Sequence, residues 1–201
     1  MSALWTLLDG GMSMADRSTW GQWLTLWCGR RLALRHRHVT APPSCRIHPA
    51  ARIHPRQGSI RFGERCTIAP GAVIQGNVEF GDDCSVQTGS ILVGYGSATD
   101  RSGLIRIGNG VRIAPLVMMI AADHIFDDPN RPIHGQGLRN APITIEDDVW
   151  LAGRVNITAG VTIGRGSIIG AGAVVTKDVP ADSIAVGVPA RVVGHRSGRA
   201  Q

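Results

Sequence analysis

Tyrosine and phenylalanine are nearly missing from this chain, with one Tyr and three Phe in 201 residues. Lysine is rarer still, since Lys177 is the only one. No apolar run approaches the ~20 residues that a helical membrane span requires. The longest apolar-leaning stretch near the start, residues 20–28, is nine residues long. A basic start followed by a long apolar run is also lacking, which speaks against a cleavable export signal; the expectation is a cytoplasmic protein. The four cysteines, Cys28, Cys45, Cys66 and Cys84, include no C-x-x-C pair and no Cys/His zinc spacing. Neither a P-loop nor a G-x-G-x-x-G run is present, so nucleotide hydrolysis and dinucleotide chemistry find no support. No metal site is expected.

What is present is a period. Residues 157–174, ITAGVTIGRGSIIGAGAV, are rich in β-branched side chains and therefore strand-like. They show neither the strict alternation of a half-buried strand nor a helical repeat. Counted in sixes, Ile145, Leu151, Ile157, Ile163, Ile169 and Val175 fall into register. Four places on in each unit stand Val149, Val155, Val161, Ser167, Ala173 and Val179, all small or β-branched. Upstream, Phe62, Ile68, Ile74, Phe80 and Val86 keep the same spacing, with Cys66, Ala72, Val78, Cys84 and Ser90 four places on. Ile107 and Ile113 form a further short run, and Ile47 and Ile53 another. A six-residue unit is too short to bury anything alone, so such units must stack. The expected fold is an all-β solenoid, a parallel β-helix. Its first position points into a prism whose interior is expected to be too narrow for rings, its fifth fits a corner, and glycine relieves corners that need positive φ. Cys66 and Cys84 fall on the small inward positions and read as core residues rather than disulfide partners.

The phrases IGRGSIIGAGAVVTKDVP and AVGVPARVV resemble the hexapeptide-repeat acyltransferases, the family of galactoside, maltose, serine and polysaccharide acetyltransferases. The likeness covers about residues 45–193. It implies a left-handed coil of three hexapeptides per turn, a homotrimer with active sites between subunits, and acetyl-CoA as donor. The expected organisation is a helical, basic leader (1–44), a β-helix (45–193) carrying an inserted loop (118–142), and a tail (194–201).

Charge is uneven. Residues 1–65 hold ten Arg against Asp9, Asp16 and Glu64, a balance of +7; residues 66–201 hold ten Arg and Lys177 against twelve acids, a balance of −1. In the leader Trp20, Trp23, Leu24 and Trp27 fall on one helical face, with Ser18 or Thr19 as a candidate cap. That face can pack on the prism or on a neighbouring subunit, or lie in a membrane interface among the arginines, with a peripheral contact at the inner membrane face as the consequence. The aromatic and basic mix alone is weak support for nucleic acid, and none is expected as a partner.

Acyl transfer to a hydroxyl needs a base and an oxyanion donor, and histidine is the base suited to neutral pH. Of seven His, His36 and His38 lie in the leader, His195 in the tail, and His48 and His54 read as exposed corners. His124 and His134 fall in the inserted loop, and by resemblance His124 holds the place of the family's catalytic base. Asp123, Asp127 and Asp128 are candidates to orient it, as is a backbone carbonyl; Asp123 and Asp127 are also candidates to meet the acceptor, and Arg131 suits an anionic one. The resemblance further implies that Trp150 lines the acceptor site and that the Gly153 N–H meets the thioester carbonyl. It places Ala171, Thr176, Lys177 and Arg191 along CoA. The implied activity is O-acetylation of a sugar hydroxyl in polysaccharide or glycoconjugate assembly. Amino-sugar N-acetylation and serine O-acetylation are the enzymatic alternatives. A carbonic-anhydrase-like or purely structural solenoid is the non-enzymatic one.

Overall fold

A computed structural model describes residues 20–196. Short strands repeat in threes and build three parallel faces. Face 1 runs from Val39–Thr40 through Ile60–Arg61, Val78–Phe80, Ile105–Ile107 and Ile143–Ile145 to Thr162–Ile163. Face 2 runs from Arg46–Ile47 to Ser183–Val186, and face 3 from Arg52–His54 to Val174–Val175. The chain visits the faces in the order 1, 2, 3, so each edge of the prism is a column of corners. Among the described residues no helix is long and apolar enough to cross a membrane.

Register explains the period. Ile68 pairs beside Val86 and Leu151 beside Ile169, three hexapeptides on in each case. Every ladder residue of the sequence pattern is buried. Each strand reads in, out, in, so the first position and the residue two before it both enter the core; the second of these is the fifth position of the preceding unit. The alternation is that of an ordinary strand, cut every six residues by a corner. Burying one such Ile or Leu contributes about 1.5–3 kcal/mol. The ladder is longer than the runs counted in the sequence: Leu92 and Met119, six past Val86 and Ile113, extend two of them, and Ile60, Ile105 and Ile143 also point inward.

Three expectations need correction and one, the buried cysteines, is extended. The prism does admit rings, because Phe62 and Phe80 stack inside it at 4.9 Å and 14°. Cys45 joins Cys66 and Cys84 in one buried column, each thiol donating to a carbonyl of the next coil, Gly63, Gly81 and Gly108. His48 is buried, not an exposed corner; its Nδ1 accepts from the Ala50 N–H at 3.0 Å. The inserted loop begins later than residue 118, since Met118–Ile120 is a regular strand of face 3.

Helix α1, Trp20–Ala33, closes the open end of the first coil. Gln22, Thr25, Leu26, Gly29 and Ala33 are its buried positions, and Ala33 belongs to the prism core. The tryptophan face does not pack on the prism: Trp20 is 74% exposed, Trp23 48% and Trp27 46%. Close approach decides the orientation. Gly29 lies against the backbone of Ile47, His48 and Pro49, where no bulky side chain fits. The helix runs past Gly29, and Arg30 then ties it down, its guanidinium donating to the carbonyls of Ala41 and Pro42. The candidate caps Ser18 and Thr19 lie outside the described residues. Val39–Thr40, inside the segment read as leader, already pairs with face 1. The far end is closed by an antiparallel pair, Ser183–Val186 with Arg191–His195; residues 197–201 of the tail lie outside the described residues.

Candidate active site

Two excursions leave the prism. The shorter, residues 94–103, is pinned by buried Asn77, whose amide donates to the carbonyls of Tyr95, Ser97 and Asp100 at 2.9, 2.7 and 3.0 Å. Its Arg101 meets Glu79 at 2.5 Å. Burial raises the Glu79 pKa, but the Arg101 hydrogen bond and the charges of Arg101, Arg61 and Arg106 outweigh it and hold the carboxyl below its ordinary value.

The longer excursion leaves face 3 at its edge with face 1 and returns at Ile143. It is a hairpin in which Ala122–His124 pairs antiparallel with Leu138–Asn140, with Asp123 opposite Arg139 and His124 opposite Leu138. His124 is therefore carried on strand backbone, with its side chain exposed. At the tip, Gln136 knits the loop by donating to the carbonyls of Asp128 and Arg131, and Ile133–Gly135 forms one 3-10 turn. Arg131 turns back onto the Gly135 carbonyl at 2.7 Å. Asp127 pairs with Arg139 at 2.7 Å in an exposed ion pair, and Asp128 caps the Asn130 N–H. Thr176 and Lys177 follow the last strand of face 3 and so stand on the same edge as the hairpin, both exposed.

Gly153 and Ala171 stand on the opposite edge of face 3, shared with face 2. Register stacks Pro49, Pro70, Thr88, Pro115, Gly153 and Ala171 in a single column there. Three of the six are proline, which has no N–H to give, so the coil ladder does not depend on a donor at this position. The flanking bonds are made instead: the Ala152 N–H to Ile169 at 2.9 Å and the Arg154 N–H to Pro115 at 3.0 Å. The Gly153 N–H takes no part in the ladder and sits at a half-exposed corner. The recurrence of proline in this column was a sequence signal for a free donor. Trp150 projects outward from face 2 just before that corner, 50% exposed, between Arg112 and Ile168. Arg191 opens the closing strand of face 2.

The sequence candidates thus fall into two groups. Asp123, His124, Asp127, Arg131, Thr176 and Lys177 share one edge of face 3; Gly153, Ala171 and Arg191 share the other end of its strands. Arg154 to Thr158 spans that face, roughly 13 Å at strand rise. A cleft of about 920 Å³ opens at the α1 end of the Gly153 edge, lined by Leu32, Arg35, Arg52, His54, Pro70 and Thr88. Sequence reasoning did not find this cleft, because it is made by α1 docking beside face 3. Among the described residues no three His, Cys, Asp or Glu side chains cluster to hold a metal ion.

Residues 142–177 match the family model for bacterial transferase hexapeptide (six repeats). The galactoside O-acetyltransferase of Escherichia coli is 43% identical over 94 residues, covering 44% of this chain and 43% of that protein. A maltose O-acetyltransferase from Clostridium difficile, solved by crystallography, is 26% identical with a TM-score of 0.52, covering 96% of this chain and 82% of that one. AntD, an N-acyltransferase from Bacillus cereus solved with dTDP and 3-hydroxybutyryl-CoA, shares the fold at a TM-score of 0.62 and 21% identity, over 77% of this chain and 81% of that one. The chain spans about two fifths of the length of the curated relatives it matches.

Proposed function

We propose that this chain, which belongs to the hexapeptide-repeat transferase family and folds as its left-handed parallel β-helix, transfers an acetyl group from acetyl-CoA to a sugar hydroxyl. The setting is polysaccharide or glycoconjugate assembly on the cytoplasmic side. The observation that carries the reading is the hairpin that holds an exposed His124 on the edge occupied by Thr176 and Lys177, while half-exposed Gly153 at the other edge keeps its N–H out of the coil ladder.

The exposed residues fit the donor. Lys177 offers a cation to phosphate, and the open edge at Gly172 has nothing within 4 Å of its Cβ position, which leaves room for a pantetheine arm along Ala171. Acetyl-CoA supplies an activated acyl carbon. His124 takes the proton of the attacking hydroxyl, and the Gly153 N–H donates to the oxygen that gains charge; no covalent enzyme intermediate is required. An imidazole cannot reach across the ~13 Å face of its own protomer. The reading therefore pairs the His124 edge of one protomer with the Gly153 edge of the next in a homotrimer.

The acceptor approaches from the α1 side, because the CoA candidates Ala171, Thr176, Lys177 and Arg191 all lie on the far side of Gly153. Thr88, at the rim of the 920 Å³ cleft, is two coils from Gly153 in its column, about 10 Å. Trp150 offers an exposed ring to a sugar face, and Asp123 a carboxylate to its hydroxyls. Asp127 is engaged by Arg139.

The test is His124→Ala, with thiol release from acetyl-CoA followed using maltose or a β-galactoside as acceptor. Loss of general-base help lowers the rate on the order of 10²–10⁴-fold. A variant within twofold of wild type removes His124 from the mechanism.

A further inference from the structure

The outer face of α1 has no use in acyl transfer. It carries Trp20, largely exposed, and Trp23 and Trp27, each about half exposed, at the closed end of the prism. Arg31 continues the same face and stacks its guanidinium over the Trp27 ring at 5.2 Å. Leu32, 41% exposed, widens the apolar strip. The segment that carries it is basic. From residue 20 to residue 63 the chain has eight arginines and not one Asp or Glu. The ion pairs among the described residues use no arginine between residues 20 and 60.

We propose that this end of the molecule is a docking surface for an anionic phospholipid bilayer, with α1 lying in the interface, its tryptophans at headgroup depth and the surrounding arginines on the lipid phosphates. Indole rings, with an apolar body and one N–H, partition to that depth. A helix with such rings on one face and cations beside them binds through apolar burial and charge together. Charge complementarity selects the occupant. A second copy of the same end would bring like-charged arginines face to face, an arrangement that opposes association. Anionic headgroups meet the same arginines with attraction. The test is kept independent of the acyl-transfer reading by leaving Arg35 and Arg52, which line the cleft, unchanged; Trp20, Trp23, Trp27, Arg31 and the exposed Arg37 belong to neither the cleft nor the proposed catalytic groups.

The experiment is vesicle co-sedimentation of the full chain. Wild type is compared with the triple variant Trp20→Ser, Trp23→Ser, Trp27→Ser on phosphatidylcholine vesicles, alone or with about one third phosphatidylglycerol. Wild type is expected to sediment with the anionic vesicles, to bind them about tenfold more tightly than the triple variant, and to lose binding as salt rises. The tryptophans lie on the face of α1 away from the prism, so the variant keeps a cooperative unfolding transition and its light-scattering mass. Arg31→Glu combined with Arg37→Glu weakens binding to anionic vesicles while leaving the rings in place. Wild type remaining in the supernatant, or equal sedimentation of wild type and triple variant, overturns the proposal. So does a fall in particle mass of the triple variant without lipid, which makes the patch an interface between copies. Retention of a single-stranded oligonucleotide by a wild type that ignores vesicles overturns it in favour of nucleic acid.

Discussion

Replacing Gly29 by Ala sets two effects of opposite sign against each other. In a helix interior Ala is favoured over Gly by about 1 kcal/mol, so propensity alone predicts a more stable protein. The packing predicts the reverse. A Cβ on Gly29 would sit 1.9 Å from the Ile47 carbonyl oxygen and 2.8 Å from backbone atoms of His48 and Pro49. Ordinary contact needs roughly 3.5 Å, so α1 must retreat by about 1.5 Å. The obstacles are backbone atoms of the first coil, which cannot swing aside as a side chain would. Overpacking of this kind costs about 1–3 kcal/mol, and lifting the helix also loosens Leu26 and Ala33 from the prism end. Because the obstacle is rigid backbone, the upper end of that range, about 3 kcal/mol, applies; less the propensity gain of about 1 kcal/mol, the net loss is about 2 kcal/mol, or roughly 4–8 °C for a chain of this size. Thermal unfolding by circular dichroism measures it, with Gly135→Ala as control because nothing lies within 4 Å of its Cβ position. A Gly29→Ala protein that melts at or above wild type refutes the docking geometry of α1.

Other outcomes follow from the same structure. Asn77→Ala removes three donated hydrogen bonds from one buried amide and is expected to cost about 1–3 kcal/mol, with amide exchange rising first in residues 94–103. The Glu79 carboxyl is held below its ordinary value of 4.5, so its ion pairs contribute fully above that value and are lost as pH falls through the lower, folded one. Acidification below pH 4.5 should therefore release the Arg101 loop, and Glu79→Gln should abolish that pH dependence; a loop whose exchange is flat with pH in wild type contradicts this. Gly153→Ser is expected to fold with an unchanged melting temperature, because the new Cβ meets only the Pro115 carbonyl oxygen, at 3.5 Å. A drop of several degrees would show that the corner tolerates no side chain.

The six-residue spacing made the core legible in advance because each inward position repeats a single physical requirement, an apolar side chain stacked on the one a coil below. Leu92 and Met119 keep that spacing, six past Val86 and Ile113, and were legible by the same rule as the last rungs before the two excursions. Ile60, Ile105 and Ile143 escaped because each enters the core at the resumption of a coil, out of phase with the preceding stretch. The candidate site was legible at His124 only through resemblance, since a loop histidine has no periodic signature.

The order of residues by itself determined the strand-and-corner period, the inward ladder and the places where the coil is interrupted, because these depend on contacts that recur at fixed separation. Only the tertiary structure decided which side of α1 meets the prism. The apolar-face rule points to the tryptophans, yet a close approach of backbone to backbone is possible only on the side of Gly29 and Ala33. The same docking buries His48 and forms the cleft beside Arg52. Coil register, likewise, decided that the hairpin and Gly153 stand on opposite edges of one face. Such placements depend on how excursions of unequal length are absorbed between coils, and that is settled by three-dimensional stacking, not by the spacing of residues along the chain.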